Sequence, residues 1–165
     1  MFFDERDYAR FVEILDDVVR RYRWRCFAYC LMPNHYHLLI EVRDESLSDG
    51  MRLLNGKYAQ WFNRRHGFVG HVFQERYYAG NVETDYHLLE TTRYIVVNPV
   101  RAGLCRAAGD WRWSSYRACV GKTPRPEFLV VDWLLVQFRP NLKLARAAYE
   151  TFVREAPLRV RPRGP

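Results

Sequence analysis

At 165 residues, 48% hydrophobic and 27% charged, the chain is long enough to bury a core and reads as one main domain. No apolar run is long enough to span a bilayer, and the start Met1-Phe2-Phe3-Asp4-Glu5-Arg6-Asp7 is too acidic and polar for a secretory leader, so the expected location is the cytoplasm. The net charge of +7 is uneven, with 13 Lys+Arg against 14 Asp+Glu in residues 1–100 and 13 against 5 in residues 101–165; such an arginine-rich C-terminal third suits a polyanion partner, or equally a solvated basic tail.

Asp4 to Tyr22 places Tyr8, Phe11, Val12, Leu15, Val18, Val19 and Tyr22 at the spacing of one buried helical face. Trp24 to Leu31 reads as a strand and Met32-Pro33-Asn34 as a turn, with the second strand of a hairpin following to Val42. Side chains alternate along a strand, so His35 and His37 share a face while Tyr36, Leu38, Ile40 and Val42 take the opposite, buried one. Ser46 or Ser48 can cap a second helix whose buried stripe is Leu47, Met51, Leu54, Tyr58 and Trp61/Phe62, and which ends at His66-Gly67. Val72 to Val82 reads as a loop followed by a strand, Tyr77 to Val82. Thr84 caps a third helix with Asp85 in its first turn, and Pro99 predicts that Asn98 stands at its very end. Gly121 to Glu127, with Pro124 and Pro126, reads as a linker. Asn141 to Glu155 reads as a last helix burying Leu144, Ala145, Ala148, Phe152 and Val153, and Arg159 to Pro165 as a disordered end. The expected organisation is therefore a domain over residues 1–120 and a basic extension with one helix over 121–165. Two adjacent antiparallel strands with helices segregated around them argue for an α+β sandwich.

Two histidines on one strand face can share a metal ion. On the third helix, His87, Thr91, Tyr94 and Asn98 fall in one polar stripe, and Leu88, Leu89, Thr92, Ile95 and Val96 fill the packed side. His35, His37 and the Asn98 oxygen make three ligands that leave positions open for a phosphate oxygen, whose phosphorus the metal would strip of charge. Tyr94, one turn from a ligand, is then placed to attack, provided that a metal or basic neighbour favours its phenolate. His87 reads as a helix cap, and His66 and His71 as surface residues. Cys26 and Cys30 would share a strand face ~13 Å apart, too far for one tetrahedral ion, and read as small buried residues with free thiols. Arg101, Arg106, Arg112 and Arg117 interleave with Trp111, Trp113 and Tyr116 in a pattern that suits single-stranded DNA, although Trp113 reads rather as a core anchor with the arginines outside. Arg64 and Arg65 complement the dipole at the end of the second helix and can also touch phosphate.

On these segments the chain resembles the single-tyrosine transposases of the HUH endonuclease superfamily, most closely the bacterial REP-associated tyrosine transposases. The segments are Tyr29-Cys30-Leu31-Met32-Pro33-Asn34-His35-Tyr36-His37-Leu38-Leu39, Phe73-Gln74 with Arg76-Tyr77, Arg93-Tyr94-Ile95-Val96-Val97-Asn98-Pro99-Val100-Arg101-Ala102-Gly103-Leu104, and Trp113-Ser114-Ser115-Tyr116. The resemblance implies a ferredoxin-like sandwich, here lacking the family's first strand upstream of Phe2-Phe3-Asp4. It implies a metal-dependent enzyme that nicks and rejoins single-stranded DNA near an imperfect hairpin through a 5′-phosphotyrosine. Its site would hold Mg2+ or Mn2+ on His35, His37 and Asn98, with Tyr94 as nucleophile and a homodimer as the assembly. Arg64, Arg65, Arg76, Arg93, Arg101, Arg112 and Arg117 are the expected DNA contacts. Glu75 and Tyr78 stand where the resemblance leads one to expect glycine and a basic residue. The alternative expectation is a catalytically silent hairpin-binding protein derived from such a transposase.

Overall fold

The first helix, α1 (Glu5–Arg21), starts at a reciprocal cap. The Asp4 carboxylate accepts from the Arg6 and Asp7 amides, and the Asp7 carboxylate accepts from the Phe3 and Asp4 amides, so the donors orphaned at the helix start are satisfied. In this computed structural model, which describes residues 1–157, α1 buries Tyr8, Phe11, Ile14, Leu15, Val18 and Val19. The expectation for 159–165 lies outside the described residues. Strands β1 (Arg25–Leu31) and β2 (Tyr36–Glu41) form the antiparallel hairpin, closed at the turn by a bond from the Met32 amide to the His35 carbonyl. The remaining elements are α2 (Leu47–His66), α3 (Asp85–Arg101), a 3-10 turn (Ala108–Asp110), α4 (Tyr116–Cys119), α5 (Asp132–Val136) and α6 (Leu142–Arg154). The chain is thus α+β, as expected, and no described helix is long and apolar enough to cross a membrane.

Both faces of the hairpin are covered, which corrects the single buried face read from alternation. Cys26, Tyr29 and Leu31 of β1, with Tyr36, Leu38 and Ile40 of β2, join the large cluster that holds α1 and α2. Phe27, Ala28, Cys30 and Leu39 join a second cluster with Ile95 of α3. Leu39, on the histidine side, is the buried residue of β2, whereas Tyr36, Leu38, Ile40 and Val42 are half-buried. The register of β1 slips between Cys26 and Ala28. One extra residue in a strand reverses every side chain beyond it. Cys26 and Cys30 consequently lie in different clusters, not on the shared face that their spacing suggests. Both are buried free thiols, and burial pushes each up to about 12.

The two edges of the hairpin differ. Irregular segments satisfy β1: the Leu31 amide donates to the Trp113 carbonyl, the Ser115 amide to the Tyr29 carbonyl and the Val130 amide to the Cys26 carbonyl. Among the described residues no strand pairs with the outer edge of β2, and Tyr77 to Val82 is irregular, not the strand its sequence predicts. A strand forms only where a neighbour takes its backbone groups, and here a groove of about 1310 Å³ separates that segment from β2.

Two further expectations change. Ser46 occupies the start of α2 but does not cap it; its hydroxyl accepts from the Trp24 indole at 3.0 Å. In α6 the buried residues are Ala145, Tyr149 and Val153, while Leu144 is exposed. Phe128, Leu129, Val131, Leu134 and Leu135 of the segment after residue 121 enter the main core, so the extension packs with the rest of the chain around one interior.

Candidate active site

β2 begins directly after the Pro33-Asn34 turn, which places His35 at its mouth and His37 one step inside. Their Nε2 atoms stand 3.1 Å apart. His35 Nδ1 lies 2.8 Å from Asn34 Oδ1, an acceptor only, so Nδ1 carries the proton and Nε2 keeps its lone pair. Burial, and then the neighbouring His35, push His37 down to about 4, and burial lowers His35. Both rings are therefore neutral at neutral pH, the form that ligates metals. Asn34 is the contributor that sequence reading assigned to a turn alone. The available signal was its position immediately before a candidate ligand, where a short amide side chain can reach the next ring.

α3 supplies the second half. Thr84 caps it by accepting from the His87 amide, which leaves the His87 side chain exposed. Thr92, Ile95, Val96 and Val97 are buried, and this turns Tyr94 outward, 40% exposed. The Tyr94 ring meets the His37 ring edge-on, with centroids 5.9 Å apart. Asn98 is not at the end of α3, because the helix continues through Pro99 to Arg101. Proline leaves the carbonyl four residues back without its donor. That carbonyl is Ile95, and Asn98 Nδ2 reaches it at 3.5 Å while donating to the Tyr94 carbonyl at 2.9 Å. The side chain of Asn98 thus repairs the helix that Pro99 would otherwise break. With Nδ2 spent on the backbone, Oδ1 is the end available to a ligand.

By their separation the two imidazole nitrogens can share one divalent ion of borderline hardness. Two nitrogens ~2.2 Å from one ion at a right angle would stand about 3.1 Å apart, the separation of the two Nε2 atoms. Among the described residues no group of three or more His, Cys, Asp or Glu gathers anywhere, so a third protein ligand beside this pair must be of another type, such as an amide oxygen. Such a neutral set leaves most of the ion's charge and several positions for a phosphate.

The seven arginines expected to bind DNA occupy different settings. Arg64 and Arg76 are exposed and pair with no carboxylate among the described residues. Arg65 is bound to Asp4 and to the fully buried Asp7, which also holds His66 at 2.9 Å, so His66 is tied inward instead of lying free on the surface. Arg93 bonds Glu90 and covers Phe152. Arg112 pairs with Glu5 at 2.7 Å and covers Trp113, which itself stacks on Tyr8. Arg117 is half-buried. Arg101 lies over the Tyr94 ring. Trp111 donates to the Leu31 carbonyl, and Tyr116 is buried. The aromatics interleaved with these arginines thus serve the core.

The family model described as "Transposase IS200 like" matches residues 1–98, more than half of the chain. The chain is also 25% identical over 134 residues to a Haemophilus influenzae protein named "Putative REP-associated tyrosine transposase", covering 74% of this chain and 72% of that one. No solved structure matches it.

Proposed function

Because the chain belongs to the IS200-like transposase family, we propose that it cleaves and rejoins single-stranded DNA through Tyr94 at a site built on His35, His37 and Asn98. The observation that carries this reading is the Tyr94 ring standing edge-on to His37 within one chain. The proposed substrate is DNA with hairpin-forming repeats, the proposed assembly a homodimer and the proposed location the cytoplasm. The groove beside β2, which His35 and His37 line, encloses about 1310 Å³, and the exposed Arg64 and Arg76, which pair with no carboxylate among the described residues, are free to take phosphates.

Mg2+ or Mn2+ on His35, His37 and Asn98 would supply Lewis-acid withdrawal of charge from the scissile phosphate. Asn34 holds His35 in the ligating tautomer, and the Asn98 amide holds α3 intact between Tyr94 and Pro99. Tyr94 Oη attacks phosphorus; the Oη–P bond forms, the bond to the 3′ oxygen breaks, the phenolic proton passes to solvent and the departing oxygen takes one up. The ester stores the bond energy, so attack by another 3′-hydroxyl rejoins DNA and restores the phenol without ATP.

The test is incubation with end-labelled hairpin DNA and Mn2+. A covalent protein–DNA adduct is expected, and Tyr94→Phe should abolish both adduct and cleavage. Cleavage that survives the substitution would point to water as nucleophile and refute the reading. The unpartnered outer edge of β2, the strand carrying His37, favours a second reading: a silent, salt-sensitive hairpin-binding protein. Any phosphotyrosine product excludes it.

A further inference from the structure

Arg101 sits two turns after Tyr94 on α3, in the stripe that also holds Asn98. Side chains on a helix lean toward its N-terminus, so a long residue at this position reaches back over the side chain seven residues earlier. Its guanidinium carbon lies 4.9 Å from the centroid of the Tyr94 ring. Nη2 donates to the Pro157 carbonyl at 3.2 Å, while Nε and Nη1 are buried and meet no hydrogen-bond partner among the described residues. Burying guanidinium donors without acceptors is unfavourable unless another interaction offsets it. No carboxylate among the described residues pairs with Arg101, which leaves the ring face of Tyr94 as its charge partner. The aromatic ring therefore contacts two groups, the His37 ring nearly perpendicular to it and the Arg101 guanidinium over its face.

We propose that Arg101 is a positioning residue for Tyr94: its guanidinium, stacked on the phenol and anchored to the Pro157 carbonyl, holds the ring turned toward the histidine pair. An outward tyrosine on a helix has several staggered rotamers, and only those that face His37 present Oη to a phosphate at the histidines. Restricting the ring to them raises the rate of attack without adding affinity for DNA. This assigns Arg101 a different task from the phosphate contact that its place in a basic segment suggests. Its buried Nε and Nη1 are not offered to solvent, where a DNA backbone would approach.

The inference rests on Tyr94 being the nucleophile, and the experiment separates the two. Full-length wild type, Arg101→Met, Arg101→Lys and Tyr94→Phe are compared for single-turnover adduct formation and for binding of the same labelled hairpin DNA with Mn2+. Methionine keeps an apolar stem and loses the cation; lysine keeps a cation able to lie over the ring. Arg101→Met should slow adduct formation about tenfold while the Kd for DNA changes less than twofold, and Arg101→Lys should recover most of the rate. A rate for Arg101→Met within twofold of wild type overturns the assignment. So does a loss that appears entirely as weaker DNA binding, which would make Arg101 a phosphate contact, or an equal loss in both variants with a lowered Tm, which would make it a purely structural tie. Adduct persisting in Tyr94→Phe overturns the nucleophile reading itself, independently of Arg101.

Discussion

Replacing Asn34 with alanine tests whether the histidine pair is a metal site and not an incidental contact. The side chain is exposed, touches His35 Nδ1 at 2.8 Å and makes no other side-chain bond among the described residues. Its loss should therefore leave the metal-free fold intact, with a Tm within ~1 °C of wild type. What it removes is the acceptor that keeps the Nδ1 proton in place and the ring plane fixed. Losing such an outer partner weakens metal binding about 10- to 100-fold, and the exposure of this pair puts it at the low end. A tenfold change is about 1.4 kcal/mol of metal-linked stabilisation at a fixed, saturating Mn2+ concentration. For a chain of this size that corresponds to a Tm about 3–6 °C lower with Mn2+ present. Thermal unfolding with and without Mn2+, and calorimetric titration of Mn2+, read the two quantities independently. A Mn2+ affinity unchanged within twofold would refute the role of Asn34. Absence of any Mn2+-dependent stabilisation in wild type would refute the metal reading of the pair.

Gly50→Ala should cost about 2–4 kcal/mol in urea unfolding, because a Cβ there meets Trp24 Cζ2 at 2.1 Å and displaces the indole that donates to Ser46; a cost below ~0.5 kcal/mol would show that the indole moves freely. The Arg65 guanidinium holds the Asp4 carboxyl well below the usual carboxylate range. A depressed folded value means that the unfolded chain binds more protons in acid, so this contribution is complete above the ordinary carboxylate range and drains as pH falls from that range toward the lowered folded value. Asp4→Asn, which keeps a capping side chain, should flatten the acid limb of a stability–pH curve; an unchanged limb would remove Asp4 from the account. Changing Arg64 and Arg76 together to alanine should weaken hairpin binding and lower the salt slope by about 2, roughly one for each phosphate left without its arginine, with the slope read from titrations at several salt concentrations.

Local rules carried a long way in this chain. The Thr84 cap, the glycine stop of α2 and the polar stripe of α3 were all legible, because each depends on residues within one or two helical turns. The HxH pair was legible for the same reason, since a two-residue spacing puts both rings on one side of an extended backbone whatever surrounds it. α4 and α5, at four and five residues, are too short for periodicity to register. The irregular state of Tyr77 to Val82 was also hidden, because a strand is a property of the neighbour as much as of the segment.

What the amino-acid sequence determined by itself was the chemistry available: two imidazoles on one strand, a tyrosine and an amide one turn apart on a helix, and an excess of arginine. Tertiary structure decided which of these meet and which are already engaged. It packed α3 on the histidine side of the hairpin, so that Tyr94 faces His37. It committed Arg65, Arg93 and Arg112 to carboxylates and laid Arg101 on the tyrosine ring. It also let α3 run through Pro99, with Asn98 supplying the donor that proline lacks. The Arg93–Glu90, Arg101–Tyr94 and Asn98–Ile95 contacts lie within α3 and need that helix to run on, whereas the packing of α3 on the hairpin and the Arg65 and Arg112 pairs depend on distances between residues far apart in the chain, which exist only after the core has closed around them.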